Sequence, residues 1–214
     1  MTISVKRFPA KPVADYAAIR HEIRSGDVLM CSGNAWFSRL IQRASDSIWS
    51  HVAFVMRLDE VDRVMVLESV EPAGVRAIPL SRYLRDYDGK GNAYNGGVII
   101  ARHQQFAGKV DAQRLKTFGQ FAVDQFAYPY DKNEIAKIAA RISAKKLRFS
   151  ARERRELQRD KEYICSEYVW ECYNAINIRI RHNRAGFVTP ADFAAASEMQ
   201  LLHVLQACPP ARGG

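Results

Sequence analysis

Apolar and polar positions along this chain recur with periods that predict short strands and helices in alternation. After an extended, proline-bearing arm at residues 1–12, ADYAAIRHEIR predicts a short helix. Past the Gly26-Asp27 turn, where Asp27 most simply serves turn formation, DVLMC predicts a buried strand. AWFSRLIQRA predicts a helix with Trp36, Leu40 and Arg43 or Ala44 on one face, and core packing is the ordinary role for that tryptophan. HVAFVM and VMVLES flank the charged LDEVDR and predict a β-hairpin. Pro72 and Gly74 then break the chain, LSRYLRDY predicts a brief helix, and the turn-rich GKGNAYNGG leads into a strand at GVIIARH. Along that strand Val98, Ile100 and Arg102 share one side, and Ile99, Ala101 and His103 the other.

The clearest amphipathic pattern covers 109–126, where Leu115, Phe118, Ala122 and Phe126 recur at helical spacing and predict a core-facing stripe. It stops before Pro129, which forces an extended or turn geometry on Tyr128. Ile135, Ile138 and Ile142 mark a further helix that runs into a basic tract. Between Arg141 and Lys161 nine Lys or Arg face three Asp or Glu, a net +6 of the chain's +9. RIRHNRAGF reads as a polar loop, Thr189 as an N-cap with Pro190 at the first helical position, MQLLHVLQ as a closing strand and CPPARGG as a loose tail. No internal repeat or linker interrupts this pattern. It divides the chain into an N-terminal arm and short helix (1–25), one domain (26–207) carrying a basic helical insertion around 141–161, and the tail (208–214).

Candidate chemistry begins at EYICSEYVWECYNAI, residues 162–176. Tyr163 and Ile164 favour extended backbone, whereas Cys165, Val169, Cys172 and Ile176 lie on one helical face. Cys165 is thereby placed at a helix N-terminus, where free N–H groups and the helix dipole favour a thiolate. Most free cysteines are small buried apolar residues; the upstream hairpin is what sets Cys165 apart. With its turn centred between Asp59 and Glu60, residues whose numbers add to 119 lie opposite each other, and His51 and Glu68 do so. Opposed residues on one face have Cβ atoms about 4.5–5.5 Å apart, within reach of a His–carboxylate hydrogen bond, and a one-residue slip would break the alignment. His103 competes as the imidazole and ranks below His51, because a strand-terminal histidine beside a polar loop is ordinarily solvated. His21, His182 and His203 have no supporting constellation.

Taken in order, Gly26-Asp27, Ser50-His51, Glu68, Tyr130-Asp131, Cys165-Ser166-Glu167 and Thr189-Pro190-Ala191-Asp192 resemble the circularly permuted NlpC-like branch of the papain-like superfamily. Lecithin retinol acyltransferase and bacterial cell-wall amidases belong to that branch. The resemblance runs from about Gly26 to about Leu205. It implies an α+β fold, an antiparallel sheet or partial barrel packed against helices, with the His-bearing strands preceding the Cys-bearing helix. It further implies thiol acyl chemistry. Cys165 attacks a carbonyl, His51 holds the proton and later delivers it to the leaving group, and Glu68 orients the imidazole. The third polar residue varies across the family, so Glu68 is carried over less firmly than the pair. The Cys165 N–H supplies one oxyanion donor. Tyr130 matches a recurring position, to line the cleft or donate to an oxyanion, or alternatively to bond locally. Asn34 and Trp36 fall where papain-like folds build the cleft wall.

Composition narrows the partners. With 214 residues, 48% hydrophobic and 26% charged, the chain suits one globular domain. A net charge of +9 permits anionic partners: nucleic acid, lipid headgroups or cell-wall polymer. No aromatic–basic interleaving supports nucleic acid. The basic tract reads as a solvated helical face or, given its place before Cys165, as a flap. The cysteines at 31, 165, 172 and 208 show neither Cys-x-x-Cys nor zinc spacing, and no disulfide framework is expected. No signal-peptide core and no apolar run of about 18 residues is present, so cytoplasm is the default location unless a dedicated system exports the protein. The reading is a cysteine-dependent hydrolase of an amide, of cell-wall peptide type, needing no metal or organic cofactor. A lipid acyltransferase or esterase and a non-catalytic binding protein on the same fold stand as alternatives.

Overall fold

The β-branched runs of the sequence find one another in a single sheet. A computed structural model describes residue 8 and residues 11–130, 164–181 and 188–207. The strands are β1 (Val28–Gly33), β2 (His51–Leu58), β3 (Arg63–Val70), β4 (Gly74–Pro79), β5 (Gly96–His103) and β6 (Met199–Gln206). They lie in the order β4-β3-β2-β1-β5-β6, and every neighbouring pair is antiparallel. The helices are α1 (Tyr16–Ile19), α2 (Trp36–Ser45), α3 (Leu80–Arg85), α4 (Gln104–Lys109), α5 (Ala112–Asp124), α6 (Cys165–Asn174) and α7 (Pro190–Ala195). This is an α+β architecture with an open sheet, and the His-bearing strand β2 precedes the Cys-bearing helix α6.

Both faces of the sheet are buried, which is why its central strands are apolar at nearly every position. One face presents Val28, Met30, Val52, Phe54 and Leu67 to Phe118 and Ala122 of α5 and to Tyr168, Val169 and Cys172 of α6. The other presents Leu29, Cys31, Ala53, Val55 and Val66 to Leu80 and Tyr83 of α3 and to Ile19 and Ile23. Phe118 centres the first layer, with Phe54, Phe106 and Tyr173 edge-on at 4.7, 5.1 and 5.6 Å.

The amphipathic pattern at 109–126 divides at Val110, where Asp111 caps α5 by accepting from Arg114 N at 2.8 Å. The buried stripe ends at Ala122; Phe126 lies past the helix and is 37% exposed. Thr189 caps α7 in a reciprocal capping box with Asp192, Pro190 following at the first helical position.

The hairpin differs from expectation by one residue at its turn. Phe54 pairs with Leu67 and Leu58 with Arg63, so opposed numbers add to 121, not 119. The loop is a 3-10 turn over Asp59–Val61 closed by left-handed Asp62, and Arg57 and Arg20 reach the Asp62 carboxylate. A change of two in that sum keeps every side chain on its own face. His51 and Glu68 therefore stay on one face as diagonal rather than opposed neighbours. Asp27 does more than form a turn. Its carboxylate accepts from Arg24 N at 2.8 Å and pairs with Arg102 at 2.6 and 2.7 Å, tying β1 to β5.

Both sheet edges are covered, which blocks strand addition from outside. Val13 bridges Val204 on β6. On β4, Val75 N donates to Tyr128 O at 2.9 Å and Ala127 N to Val75 O at 3.1 Å. Gly74 makes the second approach possible: its φ is +69°, and a Cβ there would lie 2.1 Å from Tyr128 O. The basic tract at 141–161, the pattern around Ile135, Ile138 and Ile142, Tyr163 and the tail lie outside the described residues.

Candidate active site

At the end of the sheet where β1 and β3 finish and β2 and β5 start, a cavity of about 890 Å³ opens. His51 and Cys165 both line it, as do Asn34, Trp36 and Tyr130. The two chemical residues arrive from different layers. Cys165 is the first residue of α6, after extended Ile164, and packs with the α5/α6 layer. His51 opens β2 opposite Cys31, which packs in the α3 layer. They meet only at the end of the sheet, where a β-favouring run hands over to a helix on one side and starts a strand on the other.

His51 Nε2 lies 2.9 Å from Oε2 of Glu68, which is wholly buried behind it. With Nε2 engaged there, Nδ1 is the ring nitrogen left for the neighbouring Cys165 sulfur. Burial alone would lower the imidazole's pKa; the neighbouring Cys165 sulfur, and after it the Glu68 carboxylate, outweigh burial and push it up to about 10. The His51 side chain is 12% exposed, so little water screens these charges.

Glu68 is held by more than histidine. Arg76, its cross-strand partner on β4, approaches Oε1 through Nε at 2.9 Å and Nη2 at 2.8 Å. The hydroxyl of fully buried Tyr83 donates to Oε2. Burial raises the Glu68 pKa, but His51, Arg76 and Tyr83 together leave it below the usual carboxylate value. Arg76 also lies over the Tyr87 ring, 5.8 Å from its centroid, and Tyr87 faces the cavity. Arg76, Tyr83 and Tyr87 do not figure in the sequence reading. The signal was present: LESV and GVRAIP flank the turn at Glu71, Pro72 and Ala73, and pairing them sets Glu68 opposite Arg76.

The remaining candidates divide. Asn34 joins β1 to the 86–95 loop, its N–H donating to Asn95 O at 2.9 Å and its side-chain amide to Asn95 Oδ1 at 3.2 Å. Tyr130 is 7% exposed beside the cavity. Trp36 is not a core residue: at the first position of α2 it is 76% exposed on the cavity rim. His103 is not solvated; it is 1% exposed, stacks edge-on to Tyr173 at 5.9 Å, and neither ring nitrogen has a hydrogen-bond partner. It does not line the cavity.

This geometry has a counterpart among known proteins. Residues 22–202 match a family described as permuted papain-like amidase enzyme, YaeF/YiiX, C92 family. The chain belongs to this family of permuted papain-like amidases. The amidase is thus an enzyme of the papain-like cysteine peptidase and amidase class. Its fold is similar to a crystal structure described as metalloprotein YiiX from Escherichia coli O157:H7, with a TM-score of 0.60 and 19% identity over 87% of this chain and 99% of that one. No curated protein sequence matches the amidase. Among its described residues no group of three or more His, Cys, Asp or Glu is arranged to hold a metal ion. Nor is any helix among them long and apolar enough to cross a membrane.

Proposed function

We propose that this amidase cleaves its substrate through a covalent thioester on Cys165, with His51 as general base and acid and Glu68 as the residue that orients and charges the imidazole. The observation that carries the reading is the position of His51 on the wall of a cavity, hydrogen-bonded to a buried carboxylate and neighbouring a cysteine at a helix N-terminus. The Cys165 sulfur attacks the carbonyl carbon, and the amide nitrogen leaves with the proton held by His51. Water then gives a proton to His51 and displaces the sulfur, releasing the acid. The Cys165 N–H, unpaired within the helix, offers one hydrogen bond to the developing oxyanion. The substrate class we favour is a peptide amide of the bacterial cell-wall type, since the family is one of amidases and the cavity is large enough for a short peptide.

The test is intact-protein and peptide mass spectrometry after incubation with cell-wall-type peptides and, in a separate arm, with acyl lipids. An acyl adduct on Cys165 from the peptide arm, lost in Cys165→Ala together with turnover, is the expected result. Turnover that survives Cys165→Ala overturns the mechanism, and adducts formed only from acyl lipids overturn the substrate class.

A further inference from the structure

Glu68 is buried completely, yet its carboxylate is met by donors from three directions: His51 on β2, Tyr83 on α3 and Arg76 on β4. Arg76 alone of the three brings a permanent charge, and it also lies over the ring of a cavity-wall residue, Tyr87. We propose that Arg76 is a positioning residue of the reaction. Through Glu68 it fixes the orientation of His51 and completes the charge balance of the catalytic group, and through Tyr87 it ties that group to the substrate wall. This rests on the Cys165 mechanism above and extends it to a residue that touches neither substrate nor sulfur.

Charge balance carries the argument. Glu68, a Cys165 thiolate, protonated His51 and Arg76 together sum to zero, which is what a poorly solvated site tolerates. Tyr83, Tyr87 and Tyr94 from α3 and the 86–95 loop face the same carboxylate or one another, with Cys31 of β1 beside them, and burial first of all raises the three phenols' pKa values, so they are neutral near pH 7. Glu71 and Asp88 line the cavity and add negative charge there. Removing Arg76 leaves the buried group with a net negative charge, so each of its protons is held more tightly. Geometry adds a second effect: with Oε1 fixed by two guanidinium nitrogens, Oε2 alone is presented to Nε2 of His51.

The experiment is the pH profile of Cys165 alkylation by iodoacetamide, with kcat and KM for amide hydrolysis, in wild type, Arg76→Gln and Arg76→Lys. In Arg76→Gln the acid limb of the profile moves to higher pH by on the order of one unit, and kcat falls on the order of 10-fold or more with KM near wild type. Arg76→Lys restores the charge: its limb returns towards wild type, while kcat stays reduced because the bidentate grip is gone. An unmoved limb in folded Arg76→Gln overturns the proposal. If Arg76→Gln does not fold, Arg76→Lys decides: lowered kcat with unchanged KM supports the proposal, and wild-type kcat overturns it. A wild-type enzyme whose Cys165 shows no acid limb contradicts the nucleophile assignment itself, before any Arg76 variant is compared.

Discussion

Replacing Glu68 by Gln tests how much of the site's energy resides in one buried carboxylate. The native oxygens accept four N–H or O–H groups: His51 Nε2 at 2.9 Å, the Tyr83 hydroxyl, and Arg76 Nε and Nη2 at 2.9 and 2.8 Å. A glutamine has one oxygen, so whichever way its amide turns, two of those donors meet an NH2 group. His51 can accept from that group only by giving up its proton. A hydrogen bond to a charged group contributes about 1.5–3 kcal/mol, so losing two costs about 3–6 kcal/mol. Arg76 is 32% exposed and can turn to water, which favours the lower end, about 3 kcal/mol. Urea unfolding followed by circular dichroism reads the difference near neutral pH. The pH dependence has a definite sign. Burial opposes the Glu68 charge, but its three partners prevail and depress its folded pKa below 4.5. Its contribution is therefore complete above pH 4.5 and is lost as the pH falls through the folded value. Wild type and variant should converge at acid pH. His51 works in the opposite sense: its raised pKa contributes stability that is full below 6.5 and lost towards about 10, so the wild type also loses more on the alkaline side. A difference under about 1 kcal/mol near pH 7, or one that persists unchanged in acid, refutes the reasoning.

Three further outcomes are expected. Iodoacetamide should label Cys165 faster than Cys31 or Cys172, both inaccessible, and His51→Ala should slow Cys165 labelling and turnover on the order of 10²–10⁴-fold; equal labelling of all three would count against the mechanism. Trp36→Ala should raise KM several-fold with thermal stability unchanged, since the ring lies on the cavity rim and is mostly exposed; a drop in melting temperature with KM intact would restore a packing role. Burial lowers the His103 pKa below 6.5, only weakly opposed by Glu198, so stability is full above pH 6.5 and falls as the pH descends towards the folded value. His103→Leu should flatten that acid slope, and an identical slope would show that His103 does not titrate.

What could be read ahead of the structure was whatever local periodicity dictates. The Cys165, Val169, Cys172 and Ile176 spacing places all four side chains in one buried layer, and the Thr189-Pro190 pair starts a helix as capping chemistry requires. The hairpin that brings His51 near Glu68 was legible as well, with its turn misplaced by one residue because Asp62 adopts a left-handed conformation that permits a longer loop. Parity survived that error, so the pair still shares a face. Non-local facts were less accessible. Trp36 sits at the first turn of α2, and no helical periodicity tells which end of a helix faces water. His103 ends a strand and precedes a helix, which locally resembles a solvated junction; Tyr173, seventy residues away in sequence, packs against its ring. Arg76 could have been placed opposite Glu68 by pairing the strands on either side of Pro72, but Tyr83 reaches Glu68 from a helix, and such a hydrogen-bond partner leaves no periodic trace.

Cys165 packs in one layer of the molecule and Cys31, the strand partner of His51, in the other, so sulfur and imidazole come near each other only beyond the last rungs of the sheet. Forming the sheet alone, or docking either helix layer alone, leaves an ordinary thiol. On the proposed mechanism chemical competence requires both layers to be docked, and loosening between them should remove it. The rate at which Cys165 takes up an alkylating reagent becomes an internal gauge of layer docking. Followed during refolding or gentle heating, it should separate from circular dichroism wherever strands persist after Cys165 and His51 have parted.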